Sequence, residues 1–425
     1  MPQGITMRQN RQQSLRALDW LNFFMADVST GIGPFLAIYL TATRHWSPAS
    51  VGVVVSSQSI ATVLAQGPTG WIVDWSQQKK WLVICGAAAV AAGCYGIVQA
   101  PNQRIEIVTQ VLIGIAAALF PPSIAAISLG IVGKDKLPRR VGRNESFNHA
   151  GNVSFALLAG VVGTWMGQQW IFYLSAIVAI GTMSAAASIR SADVDNAAAR
   201  AAGNGDDSKT SSHVSSFRDL LHDQCLWVFS ASVVLFHFAN AAMLPLVGEL
   251  LSRGNPGKAS FYMSACIIAA QFVMIPVAWL TGKLADSWGR KPLFLIEFGV
   301  LTLRGILYTL GKGSLYLLAV QSLDGVGAAI FGVLWVIIIS DLAKGTGRFN
   351  FLQGVIQAAL GVGAFLSNFL AGFVVKSYGY NTGFLGLAAI ALTGMLFFAL
   401  LMPETRDYQR SQSQRERRPA PLIAG

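Results

Sequence analysis

Long apolar stretches separated by short polar ones make up most of the chain. Twelve of them are long enough to cross a membrane, because a hydrocarbon core of about 30 Å needs about 20 apolar residues in a helix. They begin near Ala17, Ser50, Trp81, Ile105, Asn144, Gln169, Cys225, Ser260, Pro292, Ser314, Phe351 and Asn381. No period of two runs through them, which favours helices over barrel strands. The pattern predicts an all-α membrane protein with twelve transmembrane helices.

The composition agrees with this prediction. Hydrophobic residues make up 53% of the chain and charged residues only 12%, which is about half the charged share of soluble domains. The first apolar stretch precedes others of equal length and has no small-residue cleavage site, so we interpret it as a retained span. The four cysteines show no paired spacing, and structural packing is their expected role.

The net charge of +11 is distributed unevenly across the predicted membrane. Twelve spans put both termini on one side, and that side receives 24 of the 31 Lys and Arg residues. Positively charged loops stay in the cytoplasm. We therefore expect both termini in the cytoplasm, a multi-pass protein of the inner membrane with lipid around it, and no role in nucleic-acid binding.

A polar segment divides the spans into two sets of six. Residues from about Ser191 to Ser216 are small and polar, rich in Gly, Ser and Asp, and cannot bury a core, so a cytoplasmic linker is predicted at 191–224. The amino-terminal bundle is predicted at 17–190 and the carboxyl-terminal bundle at 225–402. Residues 1–16 are a predicted cytoplasmic arm, and residues 403–425 a basic cytoplasmic tail.

The two halves repeat each other in sequence. Gly70 and Gly282 open similar charged stretches, "GWIVDWSQQKKW" and "GKLADSWGRKPL", that lie 212 residues apart. Gly114 of "GIAAALF" and Gly325 of "GVGAAIF" lie 211 residues apart. Parallel repeats about an axis along the membrane normal are one way in which transporters build two bundles around a shared site. We therefore expect two pseudo-symmetric six-helix bundles.

The stretch from Gly282 to Lys291, "GKLADSWGRK", resembles the signature loop of the major facilitator superfamily. The copy from Gly70 is similar but has Gln77 and Gln78 where the family usually has Gly and Arg. Together with the twelve spans and the closing "MPET", the resemblance covers nearly the whole chain. It implies a secondary transporter that works by alternating access. It also implies a set of cytoplasmic gating residues, which are Gly70, Asp74, Lys79, Gly282, Asp286, Gly289, Arg290 and Lys291.

The chemistry of these loops suits a latch that holds and releases. Gly70 and Gly282 let a neighbouring helix approach closely. Asp74 and Asp286 can face the amides at the N-terminus of a neighbouring helix. The alternative for the basic residues is to reach toward lipid headgroups and fix the topology.

Asp27 is the first candidate inside the membrane. It lies about 15 Å into the first predicted span at 1.5 Å per residue, which is near the midplane. An ionisable group there costs at least about 2.5–3.5 kcal/mol and is a functional candidate for that reason. We interpret Asp27 as a proton-binding or cation-binding group. The alternative is a buried Asp that Asn22 or Ser29 satisfies, on a helix kinked near Pro34.

Arg304 and Asp324 are the second candidate. They lie at similar depths in the ninth and tenth predicted spans, and a buried Arg needs a partner. We predict a structural ion pair, with a role in coupling as the alternative. Glu297, seven residues before Arg304, is a rival partner.

Polar residues of the fifth and seventh spans complete the predicted cavity. Asn148 and Asn152 are four residues apart and share a helix face, and His149 can titrate near neutral pH. His237 and Asn240 lie on the seventh span. For each of these residues the alternative is a hydrogen bond between helices.

The sequence contains no Walker-type phosphate loop, H-E-x-x-H motif or nucleophile elbow. We therefore expect no enzyme activity, no cofactor and no metal site. The expected function is proton-coupled transport of a small solute by a monomer, with efflux of drugs or metabolites preferred to uptake. Gln110 and "GNVSFALLAGVVG" depart from the pattern of family antiporters, which keeps uptake open. A membrane receptor or scaffold that no longer transports is the third alternative.

Overall fold

The computed structural model describes residues 2–28, 32–133, 136–195, 223–343 and 349–406, and the side chains of 2–10, 74, 138 and 349–351 lie outside this description. Within it the chain is almost entirely helical. The helices are α1 (Pro2–Ala26), α2 (Ile32–Ala42), α3 (Pro48–Trp75), α4 (Lys79–Gln99), α5 (Gln103–Val132), α6 (Leu137–Trp165), α7 (Gln169–Ser188), α8 (Gln224–Asn240), α9 (Met243–Gly254), α10 (Ala259–Trp288), α11 (Arg290–Leu307), α12 (Ser314–Gln321), α13 (Asp324–Ala343), α14 (Phe349–Tyr378) and α15 (Tyr380–Leu401).

These helices make twelve crossings in the described part of the chain, because three crossings are each built from two helices. The pairs are α1 with α2, α8 with α9, and α12 with α13. Nine segments of the described residues are long and apolar enough to cross a membrane by length and composition. The all-α membrane fold predicted from the sequence is confirmed.

Two of the three interrupted crossings break at equivalent places. α2 begins at Ile32 and α9 at Met243, 211 residues apart, and the third residue of each helix is a proline, Pro34 and Pro245. Proline in a first turn removes no helical hydrogen bond, because the N–H groups of that turn have no partner within the helix. Before the first break the backbone widens into a π-helical turn that contains Asp27. Such turns are frequent at functional sites.

Each half of the chain has its own apolar core. One core is built from α1–α7 and includes Leu18, Phe120 and Phe172, and the other is built from α8–α15 and includes Phe294 and Phe398. Each half therefore packs as a six-crossing bundle. The predicted linker is described only at its ends, since residues 196–222 lie outside the description.

A third apolar cluster joins the two bundles. Phe35 and Ile38 of α2 pack in it with Ala259 and Met263 of α10. All four lie in the half of the membrane that is farther from the start of α1 and the end of α15. We call this half the far side and the opposite half the termini side.

Glycines bring the bundles into close contact on the far side. Gly52 of α3 faces the Cα of Gly372 and the carbonyl oxygen of Asn368 on α14. Gly160 of α6 faces the side chain of Ser264 on α10. Small residues allow helices in a membrane to approach closely and to gain dispersion contacts. We call these two contacts the glycine seam.

One expectation about glycine is wrong in this conformation. Among the described residues, Gly70 and Gly282 have open space where a Cβ atom would stand, so no described helix approaches them closely. The close approaches occur at the other repeated pair. Gly114 packs against the backbone of Gln58, and Gly325 packs against the backbone of Ala270. The reason is position, because Gly114 and Gly325 lie inside their bundles whereas the two loop glycines lie at the membrane edge.

Candidate functional site

A polar cluster lies where two interrupted crossings meet in the carboxyl-terminal bundle. Arg304 of α11 forms an ion pair with Asp324, the first residue of α13, and donates a hydrogen bond to the side-chain oxygen of Asn240, the last residue of α8. Asn240 and Asp324 each lie where a crossing is interrupted, between α8 and α9 and between α12 and α13. The guanidinium group therefore fastens two interrupted crossings to an unbroken one.

Three further residues complete the cluster and were missed by the sequence interpretation. Gln321 donates from Nε2 to Oδ2 of Asp324 over 3.1 Å, and Tyr308 donates its hydroxyl hydrogen to Gln321. The sulfur of Met243 lies 3.2 Å from Nη2 of Arg304. The helical spacing held a signal, because Tyr308 follows Arg304 by four residues and Gln321 precedes Asp324 by three.

Exposure divides the cluster into a buried part and an open part. The side chain of Arg304 is 3% exposed, whereas that of Asp324 is 22% exposed. Arg304 has therefore replaced its water shell with fixed protein partners, as a buried charge requires. Asp324 keeps contact with the space outside the cluster.

Asp27 lies elsewhere. It is 1% exposed within the amino-terminal bundle, and its neighbours include Cys94 of α4 and Ser175 of α7. Neither of its carboxyl oxygens forms a hydrogen bond of regular length and angle with any described residue, and the hydroxyl of Ser175 is the polar side-chain group beside it. The expected alternative of satisfaction by Asn22 is not found, since the amide of Asn22 donates to the carbonyl of Leu18. Ser29 lies outside the described residues.

The polar residues of α6 lie where the two bundles face each other. Nδ1 of His149 lies 3.1 Å from Oε1 of Gln271 on α10, and Nδ2 of Asn152 donates to Oδ1 of Asn148 over 3.2 Å. All of these side chains are half-buried. The bond between His149 and Gln271 links the bundles near mid-depth.

His237 belongs to the neighbourhood of the polar cluster but does not join it. Its Nδ1 lies 3.2 Å from the carbonyl oxygen of Val233, and its ring meets that of Phe331 edge-on with centroids 4.7 Å apart. His237 precedes Asn240 by three residues on α8. It therefore forms an aromatic wall one turn away from the bond between Asn240 and Arg304.

The second charged loop forms a network of its own on the termini side. Arg290 contacts Asp286 over 3.0 Å and Asp341 of α13 over 3.0 Å. Gly289 connects α10 to α11 at a φ of 96°, a conformation that favours glycine. The side chain of Asp286 is 86% exposed, and no described residue of the amino-terminal bundle pairs with it.

Glu404 of the closing "MPET" caps the helix that follows this loop. Its Oε1 accepts from the backbone N–H of Arg290 over 2.9 Å, and its Oε2 accepts from that of Lys291 over 3.0 Å. Nζ of Lys291 donates to the carbonyl of Ala399 over 2.7 Å. The end of α15 is thus held against the start of α11.

The first charged loop is described less completely. The side chain of Asp74 lies outside the described residues. Lys79 is buried, and its Nζ donates to the carbonyl oxygen of Ser76 over 2.8 Å. The loop therefore turns back on itself at the start of α4.

Two six-crossing bundles that carry buried polar groups and meet along small residues define a class of membrane transporters. The family model described as Major Facilitator Superfamily matches residues 20–307 and 280–425. The MFS-type transporter Rv2456c of Mycobacterium tuberculosis is 45% identical over 394 residues, which cover 92% of this chain and 94% of that protein. The chain belongs to the major facilitator superfamily, as the resemblance of its signature loop predicted. It is accordingly a membrane transporter and not an enzyme.

More distant relatives show how far the family likeness extends. The multidrug transporter protein MdtP of Bacillus subtilis is 25% identical over 158 residues, 37% of this chain and 28% of that protein. Among solved structures, a single-residue mutant of the nucleoside transporter NupG superimposes with a TM-score of 0.76 at 17% identity, over 93% of this chain and all of that one. A peptide transporter POT bound to sulfate superimposes with a TM-score of 0.73 at 12% identity, over 91% of this chain and 94% of that one. At these identities the two structures show the fold alone.

Proposed function

We propose that this protein is a proton-coupled exporter that moves a small drug-like or metabolite solute out of the cytoplasm by alternating access. It acts as a monomer in the bacterial inner membrane, with both termini in the cytoplasm. The observation that carries the proposal is Asp27, a carboxyl group that is buried at an interrupted crossing, with no ion pair among the described residues and only the hydroxyl of Ser175 as a polar side-chain neighbour.

Burial links the charge of Asp27 to conformation. An ionised carboxylate enclosed without partners costs several kcal/mol, so this surrounding tolerates the neutral acid. A conformation that admits water beside α1 and α4 supports the ionised form instead. The π-helical turn that contains Asp27 departs from regular α-helix at this point, and such turns are frequent at functional sites. Proton uptake and release would then accompany each change of conformation.

The conformation described here fits one end of this cycle. The glycine seam and the cluster of Phe35 and Met263 close the far side. Asp286 is exposed on the termini side and pairs within its own loop. We infer that this is the state closed on the far side, in which the latch formed by Asp286 is released.

The direction of transport is supported by the relatives and by the charged loops. Signature loops are present in both halves, and the distant relatives include proteins named for multidrug transport. Uptake remains the second candidate, because Gln110 stands in the fourth crossing where many proton-coupled members have Arg. Gln110 is fully buried and bonds Glu106 over 3.4 Å rather than facing an open space.

The test compares two substitutions of the same kind in one bundle. A transport-deficient bacterial host expresses the protein, Asp27→Asn or Glu106→Gln, and its growth is followed across lipophilic cations, toxic oxyanions and organic acids. Glu106 is a matched control because it is buried and has a partner. Protection by the protein that Asp27→Asn removes and Glu106→Gln keeps supports export. Sensitivity to a compound in place of protection overturns export in favour of uptake. Equal protection by both variants overturns the role of Asp27.

A further inference from the structure

A basic cavity lies between α1 and α6 on the termini side. Its volume is about 440 Å³, within the range of about 300–1,000 Å³ for small-ligand sites. Five cationic side chains and a single carboxylate are in its lining, and these are Arg16, Lys136, Arg139, Arg140, Arg143 and Asp19. The transport proposal makes no use of this cavity.

The carboxylate is fully engaged with two of the cations. Oδ1 of Asp19 lies 2.7 Å from Nη2 of Arg140, and Arg143 binds both oxygens of Asp19 in a two-pronged contact of 2.9 and 2.7 Å. Arg140 also donates from Nε to Oδ1 of Asn144 over 2.7 Å. Asp19 and Arg140 are both buried, with side chains 5% and 4% exposed. This trio of Asp19, Arg140 and Arg143 lines the base of the cavity and connects α1 to α6.

The other three cations have no such partner. Arg16, Lys136 and Arg139 are exposed, and none of them forms an ion pair or side-chain hydrogen bond with a described residue. Lys136 and Arg139 flank the first turn of α6, whose amides are not capped by a side chain. The positive end of the helix dipole adds to their field. An anion that enters the cavity therefore meets cations that no carboxylate of the described residues neutralises.

Aromatic side chains place this cavity at the membrane surface. Trp20, one turn after Arg16, is 51% exposed and stacks on Phe24 with ring centroids 5.8 Å apart. The guanidinium of Arg143 lies over the ring of Phe147 at 5.3 Å. Exposed Trp beside cationic residues is typical of the boundary between hydrocarbon and headgroups. Basic pockets between helices at this level bind the headgroups of anionic lipids.

We propose that this cavity binds a phosphate-bearing anion at the membrane surface. Arg16, Lys136 and Arg139 contact the phosphate oxygens, and the trio of Asp19, Arg140 and Arg143 holds the two helices that carry them. A lipid headgroup with two phosphates matches the three cations and leaves its acyl chains beside Trp20. A soluble diphosphate offers the same chemistry, so the two sources have to be separated by experiment.

The experiment uses the full chain purified in detergent. Native mass spectrometry measures retention of cardiolipin against phosphatidylcholine, and thermal unfolding with and without inorganic pyrophosphate measures the soluble source. The test variant is Arg16→Gln/Lys136→Gln/Arg139→Gln, which spares the buried trio. The matched control is Arg104→Gln/Lys258→Gln/Lys312→Gln, which removes the same charge from exposed far-side residues. Each surface charge contributes about fivefold to binding of an anionic lipid, so we expect the test variant to weaken binding at least tenfold.

The outcomes separate the sources and decide the proposal. Cardiolipin retention that falls in the test variant and persists in the control supports a headgroup site. Stabilisation by pyrophosphate that shows the same dependence supports a soluble ligand in the same cavity. Equal binding of both probes to the two variants overturns the proposal, and so does binding of neither probe to the unsubstituted protein. An unchanged elution profile of both variants excludes misfolding as the cause of a loss.

Discussion

Arg304 on an unbroken crossing pairs with Asp324 at the break of another, and the two side chains differ sharply in exposure, 3% against 22%. The loss of stability therefore depends on which partner of the pair is removed. A stranded Arg304 stays in the bundle without water, whereas a stranded Asp324 retains some hydration.

This asymmetry predicts unequal effects of the two single substitutions. Asp324→Leu should lower the free energy of unfolding by about 3–5 kcal/mol, the usual loss when a buried charge loses its partner. Arg304→Met should lower it less, and the double variant should recover part of the loss of Asp324→Leu. Thermal unfolding of the detergent-solubilised variants measures all three. Additive losses in the double variant would rule out the ion pair as their cause.

The glycine seam predicts that one methyl group alters the conformational balance. Gly52→Ala places a Cβ against the backbone of Asn368 and Gly372, which side-chain rotation cannot relieve. Overpacking of this kind costs about 1–3 kcal/mol, and only conformations closed on the far side incur it. Labelling of a Phe35→Cys reporter from the far side should therefore rise about tenfold or more. Gly67→Ala on the same helix is the control, because a Cβ at Gly67 meets open space.

The latch predicts a shift in the opposite direction. In the present conformation Asp286 makes an exposed pair with Arg290, which contributes about 0.2–1 kcal/mol. Asp286→Ala should therefore destabilise the conformation that is open on the far side more than the present one. Labelling of the Phe35→Cys reporter from the far side should fall as a result. Ser287→Ala in the same loop is the control. Unchanged cysteine accessibility on both membrane faces, in a folded and well-expressed variant, would refute the latch.

The cap formed by Glu404 predicts a graded loss of stability. Glu404→Ala removes two charge-assisted hydrogen bonds to the N–H groups of Arg290 and Lys291. The expected loss is about 1–2 kcal/mol, as for other N-terminal caps. Glu404→Gln keeps one carbonyl acceptor, so its free energy of unfolding should lie between those of Glu404→Ala and the unsubstituted protein. Hydrogen exchange at these two amides reads the effect directly, and equal exchange in all three proteins would show that the cap contributes nothing.

Hydropathy predicted the crossings well because lipid imposes a length on them. Ten of the twelve predicted starts lie within two residues of a helix start. The two larger differences have one cause, since α6 begins at Leu137 and α1 at Pro2 in polar sequence that is helical outside the apolar stretch. Hydropathy marks the boundary of the lipid rather than the end of a helix. A kink near Pro34 was expected only as part of the alternative for Asp27, and the break near Pro245 was missed, although the proline carried the signal.

The ion pair of the candidate site could be predicted from the sequence, but the orientation of its other side chains could not. A charge in lipid needs a partner, so Arg304 and Asp324 could be matched from their positions alone. Which way a side chain points within a bundle depends on helix rotation, which an apolar face barely fixes when lipid and core are alike. The surroundings of Asp27, and the position of Glu297, which was the rival partner of Arg304, therefore could not be predicted. Asp27 is enclosed, and Glu297 is buried without a hydrogen bond to any described residue instead of meeting Arg304.

The glycine seam also sets how the two sides of the membrane respond to ionic strength. The far side closes through Gly52, Gly160 and apolar contacts, and none of the ion pairs among the described residues joins the bundles there. The termini side carries charged pairs such as Arg143 with Asp19 and Arg290 with Asp286, each within a single bundle. Salt screens exposed charges over about 8 Å at physiological concentration and leaves close packing untouched. Closure of the far side should therefore be insensitive to ionic strength, whereas the exposed carboxylate of Asp286 on the termini side is open to screening.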